Sequence, residues 1–111
     1  MSEKDKGNLL AILDSCLKIK SFVKGISGPD TFFADEKTFD AVLMNFVVIG
    51  ESVAKLSDEL KLKESQVSWG EIKGFRNLIA HDYFGVDAEE VWQIIFEDLP
   101  ELEKNVRAIM E

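Results

Sequence analysis

Apolar residues recur in steps of three and four through most of this chain, and no segment shows the sustained alternation of a strand. Leu9, Ile12, Leu13, Cys16, Leu17, Ile19 and Val23 keep helical spacing, and Gly25, Gly28 and Pro29 end that first helix. A short apolar turn at Thr31 to Ala34 leads to a second long helix that begins near Asp35. Its seam of Phe39, Val42, Phe46, Ile49, Val53, Leu56 and Leu60 has the alternating spacing of a coiled coil. Beside the seam runs a second stripe, Leu43, Val47, Gly50 and Ala54, which narrows from bulky to small side chains. Small residues admit a neighbouring helix closely, so this stripe faces either a second subunit or another helix of the same bundle.

Ser68-Trp69-Gly70-Glu71 reads as a capping box, opening a helix of about twelve residues that carries Arg76 and ends near His81. After the loop of Phe84 and Gly85, Asp87-Ala88-Glu89-Glu90 starts another helix with Val91, Ile94 and Ile95 inside. Pro100 then sits in the first turn of a last helix bearing Leu102, Val106 and Ile109. The expected fold is all-α, an up-and-down bundle of two long antiparallel helices and two or three shorter ones.

At 111 residues and 46% hydrophobic composition, one domain over residues 1–111 with a real core is expected, residues 1–7 being frayed. Cys16 is alone, so no internal disulfide forms and a reducing compartment is the simpler assumption. Met1 to Gly7 is charged rather than leader-like, and the apolar runs fall far short of the roughly 20 residues of a membrane span. A cytoplasmic protein without a membrane partner is expected.

The net charge of −8 argues against a nonspecific nucleic-acid coat, which needs clustered Lys and Arg to release counterions. The charge is uneven: Asp and Glu against Lys and Arg number 8 against 6 in residues 1–52, 4 against 5 in 53–81, and 9 against 2 in 82–111. RNA can therefore be met locally, through Lys55, Lys61, Lys63, Lys73 and Arg76.

Candidate chemistry concentrates in Phe75-Arg76-Asn77-Leu78-Ile79-Ala80-His81-Asp82-Tyr83, which contains the only histidine and the only tyrosine. An arginine fork stabilises added charge on a phosphoryl group, and a histidine moves protons near neutral pH. Together they suit metal-free RNA cleavage, in which the 2′-hydroxyl attacks the adjacent phosphate and the 5′-oxygen leaves. No paired ligand spacing suggests a metal, and no cofactor is expected. On a straight helix, residues five apart point about 140° away from each other. Arg76 and His81 therefore converge only if the helix loosens before His81 or a second subunit contributes. On spacing alone such a pair is commonplace: a histidine near a helix end usually caps carbonyls, and a following tyrosine usually packs.

The wider pattern carries more. Ile49-Gly50-Glu51 in the seam helix, Trp69-x-x-Ile72-x-Gly74-Phe75-Arg76-Asn77, then His81-x-Tyr83-Phe84-Gly85-Val86-Asp87, Val91-Trp92 and Asp98-Leu99-Pro100 closely resemble the HepT-like group of HEPN domains over residues 9 to 110. The family signature, an arginine, four residues, a histidine, any residue and a tyrosine, is matched by Arg76, His81 and Tyr83, with the favoured polar residue after the arginine present as Asn77. One departure is that Glu64 to Ser68 lacks a proline-containing loop.

The resemblance implies an HEPN-like helical homodimer acting as a metal-independent endoribonuclease, the toxin of a toxin–antitoxin pair. Its partner would be an MntA-type nucleotidyltransferase that neutralises it by attaching AMP to Tyr83. In that reading Arg76 and His81 are catalytic, and Asn77 positions the substrate or the motif turn. Glu51 orients Arg76 or is simply polar beside Gly50, and Lys73 adds a phosphate contact or only solvates its helix. Trp69 and Trp92 stack bases or, more commonly for large aromatics at helical spacing, fill the core. The rival reading is a non-catalytic HEPN helical module that binds a nucleotidyltransferase or another protein; a plain dimeric scaffold is a third.

Overall fold

The three-and-four spacing is realised as three long helices rather than two. In the computed structural model, which describes residues 1–111, the order is α1 (Glu3–Phe22), α2 (Pro29–Ala34), α3 (Glu36–Lys55), α4 (Asp58–Lys63), α5 (Trp69–His81), a 3-10 turn (Tyr83–Gly85) and α6 (Ala88–Met110). Helix α3 packs between α1 and α5, α6 lies against α1, and short α2 bridges α3 and α6. The core joins Leu9, Ile12, Cys16 and Ile19 of α1 to Val42, Ile49 and Val53 of α3 and to Val91, Ile95, Leu99 and Val106 of α6. Burial pushes the Cys16 thiol up to about 12, so it acts as a small core residue rather than a nucleophile. No helix is long and apolar enough to cross a membrane.

Helix α1 begins inside the segment expected to fray. The Ser2 hydroxyl accepts from the Asp5 backbone N–H at 3.1 Å, capping the first turn. Asp5 is itself buried, and its carboxylate accepts from the Ser57 N–H at 2.8 Å and the Ser57 hydroxyl at 2.6 Å. That contact corrects the expected seam helix. Ser57 also caps α4, its hydroxyl oxygen accepting from the Leu60 N–H at 3.2 Å, so α3 stops at Lys55. Leu56 and Leu60 stay buried, but Leu60 belongs to α4 rather than to the seam helix.

Pro100 does not start a separate helix, because α6 runs unbroken through it for 23 residues. A proline there removes the bond to the carbonyl four residues back. Phe96 and Pro100 are both exposed, so the loss falls on the water-facing side. The buried stripe of Val91, Ile95, Leu99, Leu102 and Val106 continues past it. At the other end of the bundle the Glu103 carboxylate accepts from Lys20 of α1 at 3.2 Å and from Arg107 at 3.1 Å. Burial alone would raise its carboxyl; the two cations more than offset this and hold it below the ordinary range.

The expected capping box at Ser68 is absent: no side chain caps α5, and Ser68 sits at ψ 65°. Instead the Trp69 indole N–H donates to the Glu64 carbonyl at 3.1 Å, fixing the turn before α5.

The two bonds from Ser57 hold the Asp5 carboxyl below its usual 3.8. A lowered folded-state value makes this contribution complete above the ordinary carboxylate range and lost as pH falls through the folded value. Asp5→Asn is expected to lower the melting temperature by several degrees at neutral pH, with the gap to wild type narrowing in acid, below the ordinary carboxylate range. Melts followed by circular dichroism at both pH values check this, and a gap that does not narrow in acid would contradict it.

Candidate active site

Helix α5 turns Ile72, Phe75 and Ile79 toward the core, which sets the flank bearing Arg76 against α3. The contact sets the stem of the Arg76 side chain on the backbone of α3. A Cβ built on Gly50 would lie 2.2 Å from the Arg76 Cβ and 2.7 Å from its Cγ, so only glycine lets the arginine stem lie on α3. The small-residue stripe is thus covered at Gly50 by the chain's own α5, while Ala54 stays exposed. The rings of Phe46 and Phe75 meet edge-on at 5.1 Å and lock the same two helices.

One residue beyond Gly50, Glu51 places Oε1 3.4 Å from the Arg76 Nε. The pair is close enough for attraction but not aligned as a hydrogen bond, and the buried Nε–H has no acceptor. Glu51 is half exposed, so this pair orients the guanidinium more than it stabilises the fold. The result is an arginine fixed at its base, with donor capacity unspent.

His81 is the last residue of α5 and is exposed. The helix does not loosen before it, so Arg76 and His81 leave the axis about 140° apart. Beyond it, Asp82 turns the chain at φ −145° and ψ 58° into the 3-10 turn. A Cβ at Gly85 would come within 2.2 Å of an Asp82 carboxylate oxygen, so the turn closes tightly over that side chain. Tyr83 is thereby brought back to α3, where its hydroxyl donates to the Asp40 carboxylate. Asp40 was not a sequence candidate. The available signal was its position 11 residues before Glu51, within about 20° of the same helical face.

Asn77 is half buried and Lys73 exposed, and no hydrogen bond or ion pair engages either. Trp69 is buried, and Trp92 packs between Phe32 at 5.4 Å and Phe96 at 4.7 Å, so both serve packing. No three His, Cys, Asp or Glu side chains are grouped to hold a metal ion. A cavity of about 510 Å³ opens between α5 and α6 over Phe46 and Ile49, but its lining contains none of Arg76, Asn77, His81 or Tyr83. The motif residues therefore stand along the second half of α5 and the turn after it, beside α3, rather than in that cavity.

The family model described as Ribonuclease HepT-like matches residues 12–109. The chain belongs to the HepT-like ribonuclease family. Among its relatives, a protein of Caldanaerobacter subterraneus subsp. tengcongensis named as a candidate RNase is 40% identical over 90% of this chain and 88% of its own length. A candidate RNase of Methanocaldococcus jannaschii is 33% identical over 98% of this chain and all of its own. A candidate ribonuclease HepT of Thermococcus cleftensis is 31% identical over 92% of each. No solved structure matches. In this HepT-like chain, then, the motif arginine is seated on a glycine of the neighbouring helix.

Gly50→Ala tests that seat. In an open helix the change stabilises by about 1 kcal/mol; here α3 and α5 must part, at a cost of about 1–3 kcal/mol. Urea denaturation is expected to show net destabilisation, and a gain in stability would mean that α5 does not bear on Gly50.

Proposed function

We propose that this HepT-like chain is a metal-independent endoribonuclease that cuts RNA by transesterification and is silenced by nucleotidylation of Tyr83. One observation carries the reading: Arg76, His81 and Tyr83 stand at the family's spacing, with the Arg76 guanidinium oriented by Glu51 and free of hydrogen bonds. Arg76 binds the scissile phosphate and stabilises the phosphorane, where charge accumulates. His81 takes the proton of the 2′-hydroxyl or delivers one to the departing 5′-oxygen. Asn77 and Lys73 flank that arginine and contact the RNA.

The reaction uses both a base and an acid, and each chain has one histidine. The divergence of Arg76 and His81 on a helix that stays regular supports the same conclusion. A two-fold dimer in which each cleft draws on both copies resolves the two difficulties together. The regulatory partner is an MntA-type nucleotidyltransferase, making the pair a toxin and its antitoxin. AMP on Tyr83 would bring a phosphate and a nucleoside next to the motif, competing with RNA for Arg76.

Arg76→Ala and His81→Ala are each expected to lower RNA cleavage by at least about 10², with helicity retained by circular dichroism. Products should carry a 2′,3′-cyclic phosphate or the 3′-phosphate it yields, and EDTA should leave the rate unchanged. Activity abolished by EDTA and restored by Mg²⁺ would contradict the mechanism. No cleavage by the wild type would leave the non-catalytic binding module as the function, and wild-type cleavage in both variants would remove Arg76 and His81 from the catalytic role. Tyr83→Phe should still cut RNA and take up no AMP.

A further inference from the structure

Tyr83 is anchored to α3 by a contact that lies outside the motif. Its hydroxyl donates to Asp40, 43 positions earlier, in the second turn of α3. That carboxylate makes no ion pair and no other hydrogen bond, so nothing else in the fold uses it. Asp40 and Glu51 lie three turns apart on one face of α3, about 16.5 Å along the axis. One holds the phenol and the other the guanidinium, so this single face sets both polar groups of the motif's α3 side. The Tyr83 ring is also met edge-on by Phe84 at 5.5 Å.

A phenol is a weak nucleophile until its proton is removed, and ordinarily it keeps that proton at neutral pH. A carboxylate that accepts from it both fixes the oxygen and offers the base. We propose that Asp40 positions Tyr83 and takes its proton when the tyrosine is nucleotidylated, an assignment that rests on the reading of Tyr83 as the modified residue. The Tyr83 oxygen attacks the α-phosphorus of ATP held by the transferase, and its proton passes to the Asp40 carboxylate. The bond between the α- and β-phosphates breaks, and pyrophosphate leaves. The product oxygen can no longer donate to Asp40, and the new phosphodiester charge is repelled by that carboxylate. The adduct is therefore released from Asp40.

The test incubates wild type, Asp40→Asn, Asp40→Glu and Tyr83→Phe with an MntA-type nucleotidyltransferase, ATP and Mg²⁺, following AMP uptake by intact mass and, in parallel, RNA cleavage. Asp40→Asn should lower kcat for AMP transfer at least about tenfold, the low end of general-base effects. Its apparent KM for this chain as acceptor, its melting temperature and its RNA cleavage should stay near wild type. Asp40→Glu should recover part of the rate. A raised KM with unchanged kcat would assign Asp40 to docking of the transferase and overturn the proposal, as would equal rates. If wild type takes up no AMP, or Tyr83→Phe takes up as much as wild type, the reading of Tyr83 as the modified residue fails and this assignment with it. If Tyr83→Phe alone stays unmodified and Asp40→Asn is modified as fast as wild type, that reading stands and Asp40 alone is wrong.

Discussion

The approach of α5 to α3 at Gly50 is the constraint on which the arrangement of the motif depends. With the Arg76 Cβ 2.2 Å from where a Gly50 Cβ would be, the rotation of α5 about its own axis is fixed at that point. Everything else on α5 follows from helical geometry. Glu51, the next residue of α3, is placed beside the guanidinium, and Phe46, one turn earlier, is placed against Phe75. His81 is carried to the far side and out to solvent. The same seating that fixes the arginine thus turns His81 away from it, and leaves α3 to meet the motif again only at Tyr83.

The remainder of the bundle serves to keep α3 where α5 can use it. Helix α1 covers its opposite side, and the buried Asp5 anchors the chain just past its C-terminal end by holding Ser57. Helix α6 closes the core from the other direction and is tied back to α1 through Glu103. Breaking α3 at Lys55 has a purpose in this layout. It lets α4 and the Glu64 to Ser68 turn reverse the chain, so that α5 returns alongside α3 in register with Gly50.

Local periodicity made the helices legible where one buried face controls them, as in α1, the seam from Phe39 to Val53 and the stripe beginning at Val91. It failed where a distant group intervenes. The end of α3 depends on Asp5, 52 positions away from Ser57, and no local pattern announces that. Pro100 carries the signal of a helix start, but a buried stripe running past it outweighs one missing bond on the wet side. Gly50 was visible as a small residue at which a helix could approach; that the visitor is Arg76 of the same chain required the fold. The motif itself was readable from its spacing and flanks, whereas Asp40 was not, because its partner reaches it only after the turn at Asp82.

The central claim is that Arg76 and His81 of one chain point apart and act in sites completed by a second copy. Mixing Arg76→Ala with His81→Ala chains, after allowing subunits to exchange, tests it most directly. Each mixed dimer would pair the intact arginine of one chain with the intact histidine of the other at one of its two clefts. RNA cleavage should then rise above that of either variant alone, because only the mixed dimers bring an intact arginine and an intact histidine to one cleft. It should stay below about a quarter of the wild-type rate, because half the dimers are mixed, one of their two clefts is intact in this way, and that cleft keeps a single histidine. A mixture no more active than either variant alone, with exchange verified by mass, would contradict the claim.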